Sequence, residues 1–140
     1  MSRYVVDASV AVKWYLPEIH DAQAKRLLTG DKKLLVPDLI FSEVGNILWK
    51  RVRAEQILET EALAILQSMG ALPLSVSASW PLALVALAIA CKTQRSVYDS
   101  LYLALAVQED AEMVTADEKF YNALQATPMK PYLLWVEDII

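Results

Sequence analysis

Five short apolar runs recur along the chain, at residues 4–6, 34–36, 72–76, 113–115 and 133–136. Each is apolar on both faces, without the in-and-out alternation of a half-solvated strand. Strands of that kind need cover on both sides, as in a parallel sheet held between two layers of helix. The segments between them supply the cover. Helical spacing of apolar residues predicts helices over 8–16, 21–28, 38–53, 60–69, 80–92, 96–109 and 117–124. Pro17, Gly30 and Gly70 fall at stops, while Asp38, Ser79 and Ser96 stand at starts as N-caps. Pro73 confines the third run to a sheet edge or to a strand's first residues. The pattern predicts a three-layer α/β/α sandwich with a central five-stranded parallel sheet, as a single domain over 1–140. No repeat, linker or low-complexity stretch interrupts it.

Composition narrows the chemistry. With 56% apolar and 21% charged residues, the chain has enough apolar surface to build a core. Its longest apolar run, 82–91, is too short to span a bilayer, and Asp7 breaks the only early apolar stretch, so neither a membrane span nor a signal peptide is expected. The lone Cys91 forms no internal disulfide, which suits the cytoplasm. The lone His20 excludes a two-histidine acid–base mechanism. Three glycines are too few for a phosphate-cradling loop or a dinucleotide fingerprint.

Most of the 17 acids, Glu18 among them, fall at helix ends or in loops. Four are embedded in apolar sequence, where an unpaired carboxylate is costly. Asp7 comes off the end of the first strand and Asp117 off the end of the fourth. Ligands of open parallel sheets bind just outside such ends. Glu43 lies more than a turn into a helix and shares a stripe with Asn46, Lys50 and Arg53. Asp99 opens an apolar helix. Each also has a plain structural reading. Asp7 caps the helix after it, and Glu43 belongs to a solvated face. Ser96 with Asp99, and Thr115 with Glu118, approximate capping boxes. As a set the four are more telling. Carboxylates crowded together repel, and then protonate or open the site unless a cation joins them. Oxygen-only ligands suit Mg²⁺, with Mn²⁺ as a substitute. Such ions activate water and neutralise a phosphodiester in its transition state. The net charge of −4 fits this reading, because without these four the chain carries 13 basic and 13 acidic residues.

Val6-Asp7-Ala8-Ser9, the stretch 37–46 with Glu43, the stretch 97–104 with Asp99, and Val114-Thr115-Ala116-Asp117 occur in the order and spacing of a known family. Across essentially its whole length the chain resembles the PIN-domain family, and within it the VapC-type toxins of toxin–antitoxin pairs. The resemblance implies a Mg²⁺-dependent endoribonuclease with Asp7, Glu43, Asp99 and Asp117 as its acidic cluster. Ser9, Asn46 and Thr115 match positions that help hold the metal, its water or the acids. It further implies a homodimer, and a small antitoxin protein that feeds an apolar segment into a groove. Trp14, Tyr15, Leu16, Leu48 and Trp49 are candidates for lining that groove, or simply for core packing.

The expected reaction is hydrolysis of RNA by water held at the acid site. Cleavage of structured DNA, RNA processing outside a toxin–antitoxin pair, and a non-catalytic binding module whose acids are only caps are the alternatives. A phosphoaccepting signalling domain is disfavoured. It needs paired acids after the first strand and a lysine after the last, whereas Ala8 follows Asp7 and Glu137 follows the fifth run. Four carboxylates repel phosphate, so cations must flank them. Lys50, Arg53, Arg95 and Lys119 are the candidate RNA contacts.

Overall fold

A computed structural model of the chain describes residues 2–140. Five strands, β1 (Ser2–Val6), β2 (Lys32–Pro37), β3 (Ser75–Ser77), β4 (Glu112–Thr115) and β5 (Leu133–Trp135), form one sheet in the order β3-β2-β1-β4-β5. Every neighbouring pair is parallel. Seven helices flank it: α1 (Ala8–Val12), α2 (Asp21–Ala24), α3 (Leu39–Arg53), α4 (Glu59–Gly70), α5 (Ala83–Thr93), α6 (Val97–Glu109) and α7 (Glu118–Leu124). The three-layer architecture is the expected one. The two-faced apolar runs sit where the pattern places them: Val5, Val6, Val36 and Val114 have no exposed surface. Helix α6 lies against β1, β2 and β4 and carries α5 on its back. Residues 100–106 of α6 are all buried, as in a helix enclosed on every side.

The chain enters at the middle of the sheet, builds outward through β2 to β3, and then returns to the other side of β1 to lay down β4 and β5. Strand order therefore reverses between β1 and β4. At such a reversal the connections leave in opposite directions, and a crevice opens at the carboxyl ends.

Local details depart from the sequence reading in physically instructive ways. The third strand is shifted to Ser75–Ser77, because Pro73 has no N–H to give a ladder and Leu74 N–H turns back to the Leu72 carbonyl. Helix α1 ends at Val12. Beyond it, Lys13, Trp14 and Tyr15 bond three residues back rather than four, which tightens the turn. Trp14 is thereby carried inward, and its indole N–H donates to the Ala24 carbonyl at 3.0 Å. In the predicted 21–28 helix only the first turn is α-helical, and Lys25–Leu28 is 3₁₀. Asp38 and Ser79 do not cap their helices through their side chains. Asp38 Oδ1 accepts from both the backbone N–H and the hydroxyl of Ser79, so each uses the other. Trp14, Leu16 and Leu48 are core residues. Tyr15 is half-buried, and of the five groove candidates Trp49 stands out, with 52% of its surface exposed.

Candidate active site

Asp7 and Asp117 reach the crevice by the same local device. Val6 pairs with Val114, so Asp7 leaves β1 level with the end of β4, and Asp117 follows that end. Asp7 is the N-cap of α1: its Oδ1 accepts from Val10 N–H and from the Ser9 hydroxyl, both at 2.9 Å. Asp117 is the N-cap of α7, with Oδ1 accepting from Phe120 N–H at 3.1 Å. The cap of α7 is thus Asp117 and not Thr115. The buried Thr115 hydroxyl instead accepts from Asp117 N–H at 3.1 Å and fixes the turn. In both caps one carboxylate oxygen is used, while Oδ2 accepts nothing from the protein. Capping and site roles therefore coexist in the same side chain.

Glu43 projects from the second turn of α3 and accepts a hydrogen bond from the hydroxyl of Tyr102, a buried residue of α6. Asp99 sits in the first turn of α6, where Ser96 Oγ accepts its N–H at 3.1 Å. The reciprocal half of that capping box is not made.

Electrostatics tie the four acids together. The Asp7 carboxyl is pushed up to about 6, chiefly by loss of water and further by the Asp99 and Glu43 charges, with Val10 N–H and Ser9 partly offsetting. Glu43 and Asp99 are also raised, in both cases first by desolvation. The Tyr102 hydrogen bond lowers Glu43 and the Asp99 charge raises it. Ser96 and Arg95 lower Asp99, and the Asp117 charge raises it. Asp99 is thus the hub that feels or is felt by the other three. The Tyr102 phenol is raised by burial and by the Glu43 anion, so it stays a donor. Among the described residues, no three acidic, histidine or cysteine side chains stand close enough to grip one ion. The set is gathered but not closed. Hard oxygen donors whose ionised forms are mutually disfavoured fit a hard divalent cation.

Two clefts flank the acids. One, about 400 Å³, is lined by Ser42, Glu43, Asn46, Lys50 and Tyr98. The other, about 250 Å³, is lined by Ser9, Lys13, Glu18 and Asp117. Ile47 lines both. Of the four cations singled out, Lys50 lines the first cleft. Arg95 lies over the Phe120 ring at 5.9 Å, near enough to Asp99 to lower its pKa. Arg53 is drawn aside over the Trp49 ring at 5.3 Å, and Lys119 is exposed on α7. Sequence reasoning missed Tyr102, Lys13 and Glu18. The available signal was a polar group inside an apolar run: Tyr102 lies three residues after Asp99, and Lys13 follows Val10-Ala11-Val12. Glu18, read as a plain loop acid, bonds both Lys13 and Arg51.

A family model described as PIN domain matches residues 4–123. Ribonuclease VapC3 of Pyrobaculum aerophilum is 34% identical over 126 residues, which is 89% of this chain and 96% of that protein. A Pyrobaculum aerophilum crystal structure superposes with a TM-score of 0.74 at 24% identity, covering 97% of this chain and 85% of the other. A toxin–antitoxin complex from Klebsiella pneumoniae superposes at 0.61 with 15% identity, covering 94% and 99%.

Proposed function

Because the chain belongs to the PIN-domain family, we propose that it is a metal-dependent endoribonuclease, the toxin of a type II toxin–antitoxin pair acting in the cytoplasm. The reading is supported by the electrostatic coupling of Asp7, Glu43, Asp99 and Asp117 beside the strand-order reversal, with three of them raised in pKa first by desolvation and then by one another. The VapC relative's name supplies the substrate class. Asp7, Asp99, Asp117 and Glu43 would hold Mg²⁺, or Mn²⁺ in its place, which supplies a lowered water pKa and neutralisation of phosphoryl charge. The chain's own residues do the positioning. Ser9 fixes Asp7, Thr115 fixes the Asp117 turn, and Tyr102 fixes Glu43. Asn46 shares the cleft with Glu43. Water displaces the 3′ oxygen in line, leaving a 5′-phosphate. Lys50, with Arg53, Arg95 and Lys119, would supply contacts to the flanking backbone of the RNA.

The test is incubation of purified, inhibitor-free protein with mixed cellular RNA, with and without Mg²⁺, followed by mapping of the new ends. New 5′-phosphate ends are expected only with the cation. Cleavage undiminished in chelator would sink the metal mechanism. Cutting of structured DNA in place of RNA would favour the DNA alternative, and no cutting at all the binding module.

Two partners complete the reading. An apolar antitoxin segment would find a seat near the α3–α4 turn, where a cleft of about 360 Å³ sets Val52, Ile57 and Leu58 among Glu55, Gln56, Glu59 and Glu61, with exposed Trp49 and Leu63 on the same pair of helices. A second copy of the chain covers the outer face of α5. Leu84 there is 77% exposed, Val85 and Leu87 continue the patch, and Trp80, 80% exposed, stands in the 3₁₀ turn just before the helix. Wild-type protein is expected to sediment as a dimer and Leu84→Lys as a monomer with unchanged helical content. A Leu84→Lys protein that remains dimeric places the interface elsewhere.

A further inference from the structure

Lys13 is a lysine with only 6% of its surface exposed, in the turn that follows α1. A buried ammonium is costly unless paired. Its partner is Glu18, whose Oε1 lies 3.2 Å from Nζ. Glu18 is shared, because its other oxygen binds the Arg51 guanidinium. One carboxylate thus serves two cations, and the trio keeps a net charge of +1 in a poorly hydrated place. A purely structural ion network gains most when its charges cancel. This one keeps an unbalanced positive charge beside the cluster of four acids.

The surplus has a direction. An ammonium has three N–H donors, and Glu18 takes one from Lys13. Among the described residues, no other acceptor engages Nζ. The side chain forms the wall of the smaller cleft, together with Ser9, Glu18 and Asp117. Both Glu18 oxygens are turned to cations, and Asp117, with Oδ1 held by the α7 cap, keeps Oδ2 for the cation proposed above. The cleft therefore offers the remaining N–H donors of an ammonium next to the acid site, and it adjoins the Lys50 cleft at Ile47.

We propose that this cleft is a phosphodiester subsite, in which Lys13 donates to a non-bridging oxygen of the RNA backbone beside the bond that is cut. The assignment rests on the ribonuclease reading and adds to it a further point of backbone contact, in the cleft that adjoins the Lys50 cleft at Ile47. Glu18 is the positioning residue that orients the ammonium.

The test separates contact from packing by conserving charge. Lys13→Met with Glu18→Gln removes the pair and leaves Arg51, so the trio's net charge stays at +1. Affinity for a single-stranded RNA oligonucleotide of mixed sequence is measured across salt concentrations, in chelator and in an Asp99→Asn background. The double variant is expected to bind about tenfold more weakly, with the salt slope flatter by about 0.7, the value for one phosphate contact to a single strand. A structural role alone would change the melting temperature but not the slope. If the double variant does not fold, Lys13→Gln with Glu18→Gln, which also leaves Arg51 as the trio's one charge, carries the test with the same two readouts. A folded variant with wild-type affinity and slope overturns the assignment. Wild-type protein that neither binds nor cuts RNA overturns the ribonuclease reading itself. Wild-type cutting together with an unaffected variant overturns only the Lys13 contact.

Discussion

The Asp7→Asn protein is expected to cut RNA at least about a hundredfold more slowly than wild type, and in cation-free buffer to melt at a higher temperature. Loss of a group that merely orients a metal ligand lowers affinity or activity by about 10–100-fold, so loss of a ligand belongs at or beyond the top of that range. Stability moves the other way. Asn keeps the oxygen that accepts from Val10 N–H and Ser9, so the α1 cap survives. It lacks the charge that desolvation and the Asp99 and Glu43 carboxylates disfavour. A rise from 3.8 to about 6 corresponds to as much as about 3 kcal/mol against the ionised form. The paired readout is single-turnover cleavage and thermal melting in chelator. An inactive variant that melts lower has lost its fold rather than a ligand. A fully active variant removes Asp7 from the chemistry.

The second expected result is a cation-free protein that loses stability as pH rises from about 4 to about 7. Asp7 binds its proton more tightly folded, at about 6, than unfolded, near 3.8. Between those values the folded state holds the proton and the unfolded state does not, so stability falls with rising pH across that window and levels off above it. Glu43 and Asp99, raised in the same direction, add to the slope. The span attributable to Asp7 is up to about 3 kcal/mol. Divalent cation competes with the proton for the same oxygens, so the stabilisation by added Mg²⁺ should be small near pH 4 and grow toward pH 7. Denaturant melts of wild type and Asp7→Asn at several pH values, with and without Mg²⁺, measure this. A wild-type curve flat from pH 4 to 7, or one parallel to that of Asp7→Asn, removes the burial of Asp7 as the cause.

The α5 face and the Lys13 cleft are both features that a helix or strand assignment leaves open. Leu84 and Leu87 are as apolar as Leu103 and Leu105, and nothing local says that the first pair faces water while the second pair is enclosed. Likewise Trp14, Leu16 and Leu48 read equally as groove or core until the turn after Val12 carries Trp14 inward. The same holds for caps. Asp38 and Ser79 have ideal cap chemistry and satisfy each other instead, because β2 and β3 end side by side.

The sequence by itself determined the layer order and the acids. Short runs apolar on both faces that alternate with helical segments are those of a covered parallel sheet. A carboxylate within two residues of the end of such a run, as at Asp7 and Asp117, is placed at the sheet's carboxyl end by chain connectivity alone. The tertiary structure decided which ends meet. The return of the chain to the far side of β1 puts β4 next to it, and with it Asp117 near Asp7, while α6 brings Asp99 and the Tyr102 hydroxyl up to Glu43. It also decided which charges count. Desolvation belongs to the assembled crevice and not to any residue, so the raised pKa of Asp7 and the pairing of Lys13 with Glu18 exist only once strands and helices distant in sequence have closed around them.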